Sequence, residues 1–156
     1  MTDVAKGLQA GLGYQFVDSM VLARALTHRS AGPTHNERLE FLGDSVLSIV
    51  ISDNLYRRYP EATEGELTRC RARLVRQETL AFVAQKLGLA DALTVGQAMG
   101  TRGSADHPGV LADALEALIG AVFIDGGYAA VVLVVEGIFA ELLTDIAPES
   151  ISKDAK

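Results

Sequence analysis

The chain has 156 residues, enough for one domain with a full core and too few for two. Its formal net charge of −6 argues against a basic nucleic-acid-binding module and leaves only a local basic stripe to look for. The single cysteine, Cys70, excludes an internal disulfide and a cysteine metal site. No run of roughly eighteen uncharged apolar residues implies a membrane span. The first residues lack the basic-then-apolar order of a secretion signal, so a cytoplasmic protein without membrane association is expected.

Helical periodicity runs through the chain, and no alternating strand pattern stands out. It predicts a first helix over residues 3–10, stopped at Gly11 or Gly13, and a second from Asp18 or Ser19 to His28. "AGPTHN" reads as a turn, with Asn36 as N-cap of a long helix from Glu37 to Arg58 that Pro60 stops. His35, just before that cap, is expected to be exposed. In "TEGE", Thr63 and Glu66 form a capping box. The helix it opens breaks near Arg76 and resumes from Glu78 to Leu87, with Gly88 as its stop. "LTVGQAMGTRGSADHPG" reads as a loop, Val110 to Ile124 as a helix, "DGG" as a turn, and Tyr128 to Ile146 as the last helix. The expected architecture is all-α: one compact domain over residues 1–147 and a tail over 148–156.

Two of these helices carry acids where a core helix should be apolar. Val110 to Ile124 is apolar around its circumference, as buried helices are, yet it holds Asp113 and Glu116 three residues apart on one face. The long helix repeats the pattern: Glu37, Glu40 and Asp44 fall within roughly 60° of one another at 100° per residue. Clustered carboxylates raise one another's pKa unless a cation sits among them. Oxygen-only ligands favour Mg²⁺ or Mn²⁺ over zinc or copper. Pairing of Glu37 and Glu40 with arginines, and capping by Asp44, is the plainer alternative for either helix alone. The two helices together favour a shared site in which Asp113 and Glu116 face Glu40 and Asp44. A ferritin-like di-iron site would need Glu-x-x-His pairs, which are absent here. An all-α nucleotide pyrophosphatase also uses spaced acid pairs, and spacing does not exclude it. In either case the chemistry is metal-assisted attack of water on phosphorus.

"HNERLEFLGDSVL" at 35–47 closely resembles the signature of the ribonuclease III family. "ALTHRS" at 25–30, "EGELTRCRARLV" at 64–75 and "LADALEALIGAVFIDGG" at 111–127 agree with it in order and spacing. The resemblance implies an all-α endonuclease domain of about seven to eight helices that forms a homodimer and cleaves double-stranded RNA with Mg²⁺, leaving 5′-phosphate and 3′-hydroxyl ends, with no organic cofactor. By position, Glu40, Asp44, Asp113 and Glu116 would be the metal ligands, with Asp44 and Glu116 central to catalysis and Glu116 the most sensitive. Glu37 and Glu64 match supporting acids, and Phe41 matches a residue that enters a pocket of the partner subunit. His28 in "THRS" is expected to pack and hydrogen-bond rather than to catalyse. Cys70 is expected to be a partly buried, inert thiol.

Arg69, Arg73 and Arg76 fall at i, i+4 and i+7 on one helix face, a stripe suited to the phosphates of an A-form duplex. A solvated face paired with nearby glutamates is the alternative. The segment "TRGSADHPG" departs from the family, which more often has a polar cap where Gly109 stands. The chain stops at "ISKDAK", which resembles the start of a linker to a double-stranded-RNA-binding domain, so a fragment of a longer protein is expected. A non-catalytic dimerising or RNA-binding relative is the remaining alternative, against which all the acidic positions are present.

Overall fold

The computed structural model describes residues 2–96 and 105–148. Within them the chain forms α1 (Asp3–Leu12), α2 (Ser19–Ala25), α3 (Glu37–Arg58), α4 (Glu64–Val75), α5 (Gln77–Lys86), α6 (Leu89–Ala92), α7 (Pro108–Ile138) and α8 (Ala140–Asp145). The fold is all-α as expected. Among the described residues the one β feature is a single parallel bridge between Thr27 and Thr94. Residues 97–104, in the middle of the expected glycine-rich loop, and most of the expected tail lie outside the described residues.

α7 is the axis of the domain. Leu111, Leu115, Leu118, Ile119 and Val122 are fully buried, and the helix packs chiefly against α3 and α5. By length and composition alone α7 would pass for a membrane span. Its apolar side chains instead fill the core of this domain. α3 contributes Leu47, Val50, Ile51 and Leu55 to the same core.

The two helices touch backbone to backbone. A Cβ on Gly43 would lie 1.7 Å from the Glu116 carbonyl oxygen, and one on Gly120 would lie 2.3 Å from that of Leu39. A glycine inside a helix costs about 1 kcal/mol relative to alanine. Here it allows a crossing that no side chain permits.

Several boundaries differ from expectation, each for a local reason. α2 ends at Ala25, not His28. The following residues turn to bond with Thr94, whose N–H donates to Leu26 O at 2.8 Å while His28 N–H donates to Thr94 O at 2.9 Å. Asn36 stands at the start of α3 without capping it: its side chain is buried and Nδ2 donates to Ala25 O at 3.1 Å, tying α2 to α3. The Glu37 N–H is directed to His35 Nδ1 at 3.4 Å instead, and His35 is half-buried rather than exposed. The capping box of α4 is present in both directions, with Glu66 N–H on Thr63 Oγ1 at 3.1 Å and Thr63 N–H on Glu66 Oε1 at 2.9 Å. Extended backbone at Arg76 separates α4 from α5, which starts one residue before the expected Glu78. The short α6 carries no sequence signal of its own.

"DGG" is not a turn. Helical backbone continues through it except at Gly127, whose φ of 86° and ψ of −179° kink α7 in a region that favours glycine. The last helical stretch then breaks at buried Phe139 rather than running unbroken to Ile146. Cys70 is fully buried, not partly.

Candidate metal centre between α3 and α7

The glycine crossing sets the geometry of the site. Gly43 lies three residues after Glu40 and one before Asp44, and it packs on the backbone of Glu116. The acids of α3 are therefore presented to those of α7 at the point of closest approach. Carboxylate oxygens of Glu40, Asp113 and Glu116 all lie within 4.8 Å of one another. Asp44 is exposed and faces Glu116, on which its charge acts.

This proximity shows in the acidities. Glu116 is pushed up to about 8, first by burial and then by Asp44, with Glu40 and Asp113 adding to it. Glu40 is pushed up to about 7, again first by burial and then by Asp113 and Glu37. Asp113 is raised by burial, against an opposing effect of His28. Without a cation, Glu116 and Glu40 hold protons near neutral pH that ordinary surface acids have already lost. A set of oxygens this close, with no basic side chain within salt-bridge distance of them among the described residues, fits a hard divalent cation.

The other expected residues fall around this group. Glu37 is exposed, lines the same cleft and lies 3.8 Å from His35 Nδ1. Glu64 is exposed in the first turn of α4 and is not among the converging oxygens. Phe41 is 79% exposed, beside a mainly apolar cleft of about 800 Å³ lined by Val21, Leu39, Leu42 and Ile124. Arg69, Arg73 and Arg76 are exposed along α4 and its end. Arg76 Nε lies 3.7 Å from Glu78, so part of the stripe is paired as the plainer reading anticipates. Arg71, outside the stripe, donates from Nη1 to Ser52 Oγ at 3.0 Å and joins α4 to α3.

Two features of the site escaped the sequence reading. The glycine pair is one; its signal was available in two glycines placed three and four residues after Glu40 and Glu116 in otherwise apolar helices. The other is His107. It caps α7 with Nδ1 accepting the Gly109 N–H at 3.0 Å, so the helix starts at Pro108 and the weak cap expected at Gly109 is not needed.

The class these features define is an all-α domain whose two core helices cross at glycines and bring carboxylates together at the crossing. The family described as ribonuclease-III-like matches residues 18–142, and the chain belongs to that family. It is 48% identical over 149 residues to Ribonuclease 3 of Bordetella avium, covering 96% of this chain and 59% of the relative. It is 50% identical over 145 residues to Ribonuclease 3 of Dechloromonas aromatica, covering 93% and 65%. The chain thus spans about three-fifths of the length of these curated relatives. Among solved structures it is similar to the nuclease domain of ribonuclease III from Campylobacter jejuni, with a TM-score of 0.83 and 36% identity over 90% of this chain and 97% of that one. A second structure of that domain, at TM-score 0.81, is described for flexibility in a region involved in its dimer formation.

Proposed function

We propose that this chain is the catalytic domain of a metal-dependent endoribonuclease that hydrolyses double-stranded RNA and leaves 5′-phosphate and 3′-hydroxyl ends. The observation that carries the reading is the convergence of Glu40, Asp113 and Glu116, with Asp44 beside them, on one cleft. Glu40, Asp44, Asp113 and Glu116 would hold Mg²⁺, with Mn²⁺ able to replace it, since every donor is a carboxylate oxygen. When bound, the cation supplies Lewis-acid activation of water and neutralises charge at phosphorus.

The chain's own residues do the rest. Burial keeps Glu116 poor in solvating water, so its charge is available to a cation rather than to solvent. Glu37 keeps the mouth of the cleft acidic, and Glu64 is assigned a supporting role. Arg69, Arg73 and Arg76 are assigned to duplex phosphates, which such proteins engage by shape and backbone.

Exposed Phe41 next to an apolar cleft is a protrusion and a recess on one surface, which suits an isologous homodimer. The catalytic unit is assigned to residues 1–147 and residues 148–156 to a tail or linker start. A cytoplasmic location is part of this proposal.

The test is substrate class. A long RNA duplex, the same sequence single-stranded, and nucleoside triphosphates are incubated with Mg²⁺ or with chelator. Metal-dependent cuts confined to the duplex are expected. Hydrolysis of triphosphates with an intact duplex would identify a nucleotide pyrophosphatase. No hydrolysis of any of the three, by a folded protein, would identify a non-catalytic relative.

A further inference from the structure

The acidic cleft has a second kind of wall. The space of about 590 Å³ that contains Glu40 and Asp113 is also lined by His28, Arg29 and His107. The two imidazoles are held alike. His107 caps α7 through Nδ1, which accepts the Gly109 N–H. His28 caps the short turn Arg29–Ala31 through Nδ1, which takes the Ser30 N–H at 3.1 Å and lies 2.8 Å from Ser30 Oγ. That hydroxyl accepts from Gly96 N–H at 2.8 Å, so its own proton is free to point at the ring.

A ring nitrogen that accepts a hydrogen bond carries no proton, so each neutral imidazole bears its proton on Nε2. Neither Nε2 has a hydrogen-bond partner among the described residues. Each cap therefore sets the tautomer and leaves a donor unused on the wall of a cleft that also holds Glu37, Glu40 and Asp113.

"HPG" reads as one device for this purpose. His107 caps, Pro108 starts the helix where a missing N–H costs nothing, and Gly109 leaves room for the ring, since a Cβ there would sit 3.3 Å from Nδ1 and Cε1. Carboxylates repel RNA phosphates except where a cation bridges them, so donors on the same wall have a clear use for the phosphates on either side. We propose that His107 and His28 donate from Nε2 to backbone phosphates flanking the one held at the acids, with Arg29 adding charge. The proposal rests on the duplex-RNA reading of the cleft. Both are substrate-positioning residues, and they recognise backbone rather than base.

The experiment uses His107→Ser and His28→Ser, since serine keeps an oxygen for the cap but cannot reach the far side of the ring. Duplex cleavage gives KM and kcat, a Mg²⁺ titration gives the half-saturating concentration, and a thermal melt checks the fold. For each variant KM rises roughly tenfold, while kcat, the Mg²⁺ requirement and the melting midpoint stay in place. An unchanged KM in variants of a wild-type chain that cleaves duplex overturns this proposal and leaves the function standing. A loss that follows a higher Mg²⁺ requirement also overturns it, because the histidines would then act through the acids. If a serine variant melts early, the asparagine variant, a stronger cap that is also too short to reach, is read by the same split. A wild-type chain that neither binds nor cleaves duplex overturns the function and this proposal with it.

Discussion

At the scale of single residues, the site is defined by acids made less acidic by their surroundings. Glu116 and Glu40 titrate near 8 and 7, against about 4.5 in an unfolded chain, with burial as the first cause in both. Their folded-state values are raised, so the metal-free folded chain binds protons more tightly than the unfolded one. The contribution of these two groups to stability is therefore greatest at low pH and is lost as pH rises from about 4.5 to about 8. Thermal melts in chelator should show the midpoint falling across that window, and saturating Mg²⁺ should remove most of the fall. For the same reason metal affinity should tighten as pH rises through 7 and 8, since protons must leave before the cation binds. Calorimetry at pH 6 and pH 8.5 checks this; equal affinities would mean that the raised acids are not ligands. Phe41 makes a separate prediction. Phe41→Ala should leave the fold intact and weaken the proposed dimer about tenfold or more, read by sedimentation at several concentrations.

Among the elements, the crossing of α3 and α7 matters most. Gly43→Ala or Gly120→Ala forces a methyl group onto a carbonyl oxygen at 1.7 or 2.3 Å, so the helices must part. Each substitution should cost about 3 kcal/mol or more in a urea melt, the upper end for overpacking. Each should also lower Mg²⁺ affinity, although neither residue is a ligand. The acidic stripes were legible because their spacing broke an apolar pattern, and the capping box of α4 because its chemistry is local to Thr63 and Glu66. The glycine crossing was not legible, because it depends on two glycines, Gly43 and Gly120, more than seventy positions apart in sequence meeting face to face. Asn36 misled for a related reason: its preference for capping gave way to a buried bond with Ala25, a tertiary contact. "DGG" misled because Asp125 serves another segment, accepting from Tyr14 Oη at 2.5 Å and from Val17 and Asp18 N–H at 2.8 and 2.9 Å. Only Gly127 breaks the helix there.

On the scale of the whole molecule, the charge distribution explains how an acidic chain can be assigned to nucleic acid. The net charge is −6, yet part of the negative charge is gathered where a cation would neutralise it, while Arg69 and Arg73 lie exposed on α4. Removing either arginine should weaken duplex binding across all sequences and lower the salt slope by about one for each phosphate no longer neutralised. The all-α class and the acidic stripes were readable because both rest on patterns inside single helices. The proposed pairing of one copy with another came from the family resemblance and not from periodicity, since Phe41 looks like core in sequence and its exposure marks it as a protrusion.

The acids brought together by the α3–α7 crossing are proposed to hold the cation that drives duplex cleavage. The most direct measurement is the rate of cleavage of one RNA duplex as Mg²⁺ is titrated, for the wild-type chain and for Glu116→Gln. Saturable, metal-dependent cleavage is expected of the wild type, with a loss of at least about 100-fold in the variant at every Mg²⁺ concentration and the fold intact. Cleavage by Glu116→Gln at the wild-type rate, or wild-type cleavage that persists in chelator, would contradict it.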